Sequence, residues 1–512
     1  MTIGPDDGGT LTTAADDEAA VGRPVPSGPA EPVPPRVNDS ERLGSAPSDR
    51  ARRAARRGRL GSLTGLLVLI VFSFVTVGVT VATHAALSPI DEAAHVDSVL
   101  RAPSIVRTGE LMLPQTLDEI SCRGVADINF TPPPCGVFQA VPPAGYAIGG
   151  GGYNTADIHP PIYYDITKLA ITAGGWLPLD PVTLMRLTGA FWLALGACLT
   201  WLLARRLGAG RWAAFGAGAT LAAGYSVQEM SSIVNVDAMV LATGAGFALL
   251  ALWAWPRRLA WWLIPLAAVL VMFVKMTNIA GLVVVCLFLL LREVSRPLAD
   301  LKGEGRADGR TAGAVEGSAR LRAWWSANGR GVTRALGVGA LTGLSAGLAL
   351  AVWSAIRSAR ALVPGDSLPI SQQFLIDHLT LEQIASQAFS FTAPTEFLPN
   401  GLSLKFIGPY GTIALVAVWA GLLVLTVSAW YRDRPAFAAL AAAVLTLATM
   451  PAVYVVLNYG ASGQFFTPWF RYGFSMMPFV VAAIATGFRR RVGGVFFAGL
   501  GGIAMISALV AL

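Results

Sequence analysis

Long apolar runs separated by short polar segments dominate the chain from residue 61 onward. A helix that crosses a bilayer needs about 20 predominantly apolar residues. Eleven runs meet or approach that length, and they cover residues 61–87, 183–204, 211–227, 238–255, 260–274, 277–291, 334–356, 409–430, 436–457, 471–488 and 492–511. The pattern predicts an all-α, polytopic transmembrane helix bundle of about 11 spans, with a sizeable extracytoplasmic loop after the first span.

Basic residues lie at alternate ends of these runs. With the N-terminus in the cytoplasm, every short cluster falls on the cytoplasmic side, as the positive-inside rule requires; the clusters are Arg52 to Arg59, Arg205 to Arg211, Arg257 and Arg258, Arg432 and Arg434, and Arg489 to Arg491. A full crossing by residues 161–177 would reverse all later clusters, so we expect an interfacial or re-entrant helix there. The prediction is a multi-pass plasma-membrane protein with its C-terminus outside.

This topology divides the chain into four parts. Polar, Pro- and Gly-rich or Arg-rich composition without an apolar period indicates disorder. The parts are a disordered cytoplasmic tail (1–60), an N-terminal membrane module (61–291) with the outer loop 88–182, a flexible cytoplasmic loop (292–333) and a C-terminal membrane module (334–512) with the outer loop 357–408.

Composition supports this class. The chain is 54% hydrophobic and 13% charged, whereas soluble domains carry about 25% charged residues. The net charge of +7 comes from arginines at span ends, so it indicates orientation in a membrane rather than nucleic-acid binding. Cys122 and Cys135 flank a polar stretch of the first outer loop without a metal-ligand residue beside them, and a disulfide is favoured over zinc.

Polar residues, most of them ionisable, gather on the predicted outer face, and ionisable residues at a membrane boundary are costly unless they have a function. They are Asp91, Glu92, His95, His159, Tyr163, Arg186, Asn235, Asp237, Lys275, Arg471 and Tyr472. Together they predict a polar cavity in which a carboxylate acts as general base and cations hold a phosphate. A divalent cation, Mg or Mn, held by Asp91 or Glu92 is compatible with this set.

Each residue also has a structural explanation. Carboxylates favour the first turn of a helix and Asn and Asp favour its N-cap, so Asp91, Glu92, Asn235 and Asp237 could cap helices. His95 lies four residues after Asp91 and could pair with it. The His159-Pro160-Pro161 segment could be a rigid turn that starts a helix, and Arg186, Lys275 and Arg471 could extend to the interface as membrane-edge cations.

Two familiar catalytic motifs are missing from the sequence, which contains neither HExxH nor a Walker loop. Its four histidines do not group with cysteines, which disfavours zinc. The run Gly149 to Gly152 follows no predicted strand and is interpreted as a flexible loop rather than a phosphate cradle.

Five short motifs resemble those of a known superfamily. They are P-x-D-E-x-x-H at Pro89–His95, H-P-P-x-Y-Y at His159–Tyr164, R-L-x-G at Arg186–Gly189, N-x-D at Asn235–Asp237, and Arg471-Tyr472 followed by Pro478. In this order and topology the chain resembles the GT-C superfamily of polytopic membrane glycosyltransferases, and more narrowly an uncharacterised bacterial membrane-protein family. The resemblance covers residues 61–490.

The resemblance implies an inverting sugar transfer on the outer face, from a polyprenyl-phosphate donor to a cell-envelope glycan, lipid or protein. Asp91 would be the base, Glu92 would assist it or bind a metal, and His159 would line the pocket. Lys275 and Arg471 would hold the lipid phosphate. Two alternatives stay open: a transporter or flippase of lipid-linked glycan, and a membrane assembly protein without catalysis. The chain shows no clear internal repeat of the transporter kind, which favours transfer.

Overall fold

A computed structural model describes residues 49–126, 134–136, 152–257, 260–295, 317–365, 368, 374–387, 390–392, 407–466, 468 and 470–512. The chain divides into two compact units, residues 1–57 and 58–512. In the first unit only residues 49–57 are described, and they are helical. The candidate spans and the candidate site described below belong to the second unit.

The described residues are almost entirely helical. The α-helices are α1 Asp49–Thr83, α2 Glu92–Arg101, α3 Pro114–Arg123, α4 Ile162–Ala173, α5 Pro181–Arg206, α6 Arg211–Ala222, α7 Tyr225–Ser232, α8 Asp237–Ala254, α9 Leu263–Met272, α10 Ile279–Ser295, α11 Gly317–Arg360, α12 Leu381–Ser386, α13 Ile407–Arg432, α14 Arg434–Ser462, α15 Met477–Gly487 and α16 Arg491–Val510. Short 3₁₀ helices lie at Thr155–Ile158, Met276–Asn278, Ser390–Thr392 and Phe470–Gly473. An all-α fold is therefore confirmed for this part of the chain.

Among the residues that the structure describes, seven helical stretches are long and apolar enough to cross a bilayer. They are Gly61–Thr83, Pro181–Arg206, Asp237–Ala254, Met276–Ser295, Asn328–Arg360, Arg434–Ser462 and Arg491–Val510. Large apolar side chains on their outer faces are exposed, such as Leu344 at 70% and Leu348 at 65%. Such exposure suits contact with lipid rather than water, and the chain is a multi-pass membrane protein.

The remaining four predicted spans are not among these seven stretches. Residues 260–274 and 471–488 contain the shorter apolar helices α9 and α15. The run 211–227 is interrupted at Gly224, where α6 has ended and α7 begins. The run 409–430 lies within α13. The figure of about 11 spans therefore stays a prediction.

Two helices begin earlier in the sequence than predicted. Helix α1 begins at Asp49, within the predicted tail, and α11 begins at Gly317, within the predicted cytoplasmic loop. Alanine and arginine, which suggested flexibility there, are also strong helix formers, and the span that follows propagates the helix backwards. Residues 1–48 and 296–316 lie outside the described residues.

The described part of segment 88–182, the predicted outer loop, has its own small core. Helices α2, α3 and α4 pack over the start of α5 and bury apolar side chains that include Val96, Val99, Ile120, Tyr163 and Met185. Helix α4 has 12 residues, about 18 Å at 1.5 Å per residue, too short to cross about 30 Å of hydrocarbon. The structure also joins Cys122 to Cys135 in the predicted disulfide, with their Cα atoms 4.3 Å apart.

Glycines let backbone segments approach the helices closely. A side chain at Gly189 on α5 would collide with the Ser231 carbonyl group, and side chains at Gly244 on α8 and Gly281 on α10 would collide with that of Ser475. Ser475 follows the 3₁₀ turn Phe470–Gly473 by two residues. The depth of that turn in the bundle is therefore set by two glycines on neighbouring helices.

Candidate functional site

The adjacent carboxylates Asp91 and Glu92 lie in different surroundings. The Asp91 side chain is 41% exposed, whereas that of Glu92 is 0% exposed. Asp91 precedes α2 with φ 58° and ψ 4°, in the left-handed region. That conformation costs roughly 1–2 kcal/mol for most L-residues, although aspartate tolerates it better than most. Strain of this kind clusters at functional positions.

Glu92 is the centre of a closed ion-pair network. Its Oε1 accepts from Arg186 Nε at 2.7 Å and from the Val234 amide at 2.9 Å. Its Oε2 accepts from Arg186 Nη2 at 2.8 Å and from the Ser88 amide at 2.6 Å. We call these four residues the Glu92 junction. A carboxylate offers about four lone-pair sites, and protein donors occupy all four here.

Arg186 continues the same network toward the first span. Its Nη1 donates to the His84 carbonyl group at 2.7 Å, and its Nη2 donates to that of Ala86 at 2.8 Å. The guanidinium thus ties α5 to the end of α1 and to the start of α2. Its contacts match a structural role. A buried, paired guanidinium of this kind differs from the predicted substrate-binding residue and from the alternative of a membrane-edge cation that extends to the interface.

Asp91 faces a separate group of charges. Its Oδ2 accepts from Arg471 Nη2 at 3.2 Å, and the Arg471 guanidinium lies 5.7 Å from the Tyr472 ring centre. The Lys275 ammonium lies 5.4 Å from the same ring centre and pairs with Asp237. These residues and two histidines described below form a set that we call the Asp91 cluster. Its members are Asp91, His95, His159, Asp237, Lys275, Arg471 and Tyr472.

The Asp237–Lys275 pair is almost fully buried. Asp237 is the first residue of α8 and Val236 is its N-cap, and the Asn235 side chain accepts from the Asp237 amide at 2.9 Å. Burial lowers the pKa of Lys275, and the opposing charge of Asp237 offsets only part of that effect. Among the described residues, Asp237 Oδ2 has no hydrogen-bond partner. The pair therefore keeps one acceptor atom unused.

Two imidazoles complete the cluster. The rings of His95 and His159 stack with centres 5.4 Å apart, and His95 Nδ1 lies 2.8 Å from the Tyr164 hydroxyl group. Burial lowers the pKa of His95 well below its usual value, and the charges of Lys275 and Arg471 lower it further. The pKa of His159 is lowered for the same reasons. Both imidazoles are therefore neutral at neutral pH.

Tyr164, rather than the predicted Tyr163, contributes to the site. Tyr163 is fully buried in the core of the outer loop, and its ring meets that of Tyr164 edge-on at 5.5 Å. Successive residues on a helix point about 100° apart, so only one of the two tyrosines can face His95. The H-P-P-x-Y-Y motif could not say which one, because the direction of α4 was unknown.

The donor atoms left for a metal are few. Within the described part of the chain, no group of three or more His, Cys, Asp or Glu residues lies close enough together to hold a metal ion. Glu92 has no free lone pair for a ligand, and Asp91 pairs with Arg471. A Mg or Mn ion held by Asp91 or Glu92 therefore stays a prediction, and we derive no chemical step through a metal.

Comparisons of the chain with models of protein families, with curated proteins and with solved structures found no match. The interpretation of the site consequently depends on its own geometry. That geometry brings Asp91, His95, His159, Asp237, Lys275, Arg471 and Tyr472 together and separates Glu92, Tyr163 and Arg186 from them.

Proposed function

We propose that the protein is a GT-C-type membrane glycosyltransferase. It transfers a sugar from a polyprenyl-phosphate donor to a cell-envelope acceptor on the outer face, with Asp91 as general base. The observation that carries the proposal is the Asp91 cluster, where a partly exposed carboxylate lies beside Arg471 and near Lys275, which directly precedes a candidate membrane span.

The position of the cluster supports a lipid-linked donor. Asp237 is the first residue of the span Asp237–Ala254, and Lys275 directly precedes the span Met276–Ser295. Both spans start at the cluster, so it lies at the membrane boundary. A phosphate attached to a lipid chain would reach that depth while its chain stays in the bilayer.

Asp91 is the better of the two candidate bases. Its carboxylate is 41% exposed and can receive a proton, whereas every lone pair of Glu92 accepts a hydrogen bond from the protein. A general base must come within about 3 Å of the proton that it removes. An acceptor hydroxyl group can approach Asp91 from solvent but cannot approach Glu92.

The two cations of the cluster can stabilise the leaving group. Arg471 and Lys275 flank the ring of Tyr472, and Arg471 Nε is buried without a hydrogen-bond partner among the described residues. As the acceptor oxygen bonds to the anomeric carbon with inversion, the bond from that carbon to the phosphate oxygen breaks and the proton passes to Asp91. Fixed cations stabilise the charge that grows on the departing polyprenyl phosphate.

The decisive variant is Asp91→Asn, which keeps the shape of the side chain and removes the base. Membranes that contain the protein are supplied with radiolabelled polyprenyl-phosphate hexose and pentose, and label in envelope glycan is measured. We expect at least about 100-fold less transfer. The matched control is Asp118→Asn on α3, outside the cluster. Transfer by Asp91→Asn equal to that of the wild type would refute the proposal.

The outer-face part of the proposal has its own test. Reporter fusions after Gly150 and near Gly305 should read as extracytoplasmic and cytoplasmic, respectively. The positive-inside rule is the physical basis of this expectation. The opposite readings would place the Asp91 cluster in the cytoplasm and remove an extracytoplasmic lipid donor from consideration.

A further inference from the structure

A groove lies between α5 and α8, at the opposite surface of the membrane from the Asp91 cluster. Both helices are candidate membrane spans. Helix α8 begins at Asp237 in the cluster, and Arg186 near the start of α5 contacts Glu92, so the far ends of both helices reach the other surface. The groove has a volume of about 250 Å³. Its walls are Leu202 and Arg206 from α5 and Leu249, Leu250, Leu252 and Trp253 from α8.

Most of the groove wall is apolar and open. Leu202 lies one turn before Arg206, and Leu249 lies one turn before Trp253, so each pair shares a helix face. Leu202 is 39% exposed and Trp253 is 42% exposed. Tryptophan is enriched where a spanning helix meets the membrane interface, and exposed leucine beside it contacts lipid rather than water. The molecule that fills this groove must therefore be largely apolar.

Two arginines flank the groove. Arg206 is the last residue of its span and forms part of the wall. The Arg257 guanidinium lies 4.2 Å from the Trp253 ring centre, and its Nη1 donates to the Trp253 carbonyl group. Among the described residues, neither arginine pairs with a carboxylate. Both cations thus lack a counter-ion from this part of the chain.

Two carboxylates at the same ends of the spans are engaged elsewhere. Glu293, in the last turn of α10, accepts from Trp255 Nε1 at 3.0 Å. Asp433, which precedes α14, pairs with Arg489. Neither carboxylate neutralises Arg206 or Arg257. A ligand with a negative charge would supply the missing counter-ion and form charge-assisted hydrogen bonds with the two guanidinium groups.

The apolar wall and the flanking cations together match an amphiphile whose apolar chain ends in a negative headgroup. A free phosphate would satisfy the arginines and leave the leucine wall uncovered. We propose that the groove binds an anionic phospholipid, with an acyl chain along the leucines and the headgroup at Arg206 and Arg257. The predicted topology assigns this lipid to the cytoplasmic leaflet, which carries a negative surface charge. The inference does not rest on the proposed sugar transfer.

Trp253 is the probe for this lipid, because bromine atoms on an acyl chain quench indole fluorescence on contact. The purified full-length protein is placed in phosphatidylcholine vesicles that contain a minor share of phosphatidylglycerol with the same chains. In one preparation the phosphatidylglycerol is brominated, and in the other an equal mole fraction of the phosphatidylcholine is. The contribution of Trp253 is the difference between the wild type and Trp253→Phe. We expect this contribution to be quenched at least about threefold more by brominated phosphatidylglycerol.

Matched variants assign the preference to the two arginines. Arg206→Gln/Arg257→Gln should bring the ratio of the two quenching values close to one. Arg490→Gln/Arg491→Gln removes the same charge from exposed positions before α16, outside the groove wall, and should leave the ratio unchanged. Each double variant is measured with and without Trp253→Phe. All four arginines are exposed, so both proteins should fold.

The preference can fail in two ways. A ratio near one in the wild type would mean that lipids contact Trp253 without selection, and it would overturn the proposal. An equal fall of the ratio in both double variants would mean a diffuse attraction by all surface arginines, and it would overturn the groove as a site.

A soluble headgroup analogue separates a lipid from a free anion. Glycerol phosphate in excess should relieve the quenching no more than sodium chloride of equal ionic strength does, because the salt reproduces its screening of surface charges. Relief of quenching that only glycerol phosphate produces would show a site for free anions and reject the phospholipid. No arm of these experiments requires sugar transfer, so their outcome is independent of the result for Asp91→Asn.

Discussion

The Glu92 junction and the Asp91 cluster begin one residue apart in the sequence and have opposite character. In the junction a carboxylate and a guanidinium are buried, and four protein donors saturate the carboxylate. In the cluster the Asp91–Arg471 pair is longer, at 3.2 Å, and its carboxylate reaches solvent. Saturated charges hold elements together, whereas charges with free capacity can act on a ligand.

The same contrast appears in the remaining polar atoms. Asp237 Oδ2 and Arg471 Nε, both atoms of the Asp91 cluster, are buried without hydrogen-bond partners among the described residues. Buried polar groups in native proteins are usually paired, so unpaired ones require an explanation. A charged substrate that completes these contacts would explain them.

The largest effect that tests this contrast should follow from Glu92→Gln. Removing one partner of a buried ion pair leaves the other uncompensated and costs about 3–5 kcal/mol. We expect loss of folded protein or a strongly lowered Tm in detergent. The control is Glu119→Gln, which breaks the half-exposed pair with Arg123 on α3 and should cost less than about 1 kcal/mol. Equal Tm values for the two variants would show that the junction is not structural.

The second test uses pH and the two histidines of the cluster. Burial holds the pKa of His95 and His159 well below 6.5 in the folded state, whereas in the unfolded chain both imidazoles titrate near 6.5. Below 6.5 the unfolded state binds more protons, so acidification favours unfolding by up to about 1.4 kcal/mol per pH unit for each histidine, until the lowered folded-state pKa is reached.

The measurement is Tm between about pH 7.5 and about pH 5, for the wild type and for His95→Gln/His159→Gln. The wild type should lose more stability on acidification than the double variant. The difference between the two curves isolates the histidines from carboxylates that also titrate. Parallel curves would mean that the imidazoles are not held neutral.

The smallest effect concerns the backbone of Asp91. Glycine adopts the left-handed conformation without a steric cost, whereas a β-branched residue does not. Asp91→Gly should match or exceed the wild-type Tm, and Asp91→Val should be less stable than Asp91→Gly by about 1–2 kcal/mol. Both variants should lack sugar transfer. A Tm for Asp91→Val equal to that of Asp91→Gly would argue against a strained Asp91.

Much of the architecture could be predicted from periodicity, because a bilayer demands long apolar helices and the side of each basic cluster constrains their order. The grouping of Asp91 with Lys275 and Arg471 followed from the same topology. The separate roles of Asp91 and Glu92 could not be predicted. They depend on the amides of Ser88 and Val234, and backbone donors leave no trace in a residue pattern.

Helix boundaries and side-chain directions were also beyond the sequence. Residues 317–333 were predicted to be a flexible loop because glycine and arginine are frequent there, yet they continue the helix of the next span. Tyr163 was predicted to belong to the site and Tyr164 was not, although neither spacing nor charge distinguishes the two residues in the sequence. Both errors arise where tertiary packing decides between local alternatives.

Substitutions at Gly244 and Gly281 should inactivate the protein although neither glycine belongs to the site. Both glycines contact the backbone at Ser475, next to the turn that carries Arg471. A methyl group at either position would displace the guanidinium without altering a single charge or polar atom. A mutational scan should therefore find that substitutions at these two uncharged positions act like substitutions of binding residues. Each glycine is linked to Asp91 only because its lack of a side chain lets the turn that carries Arg471 lie close to the helix.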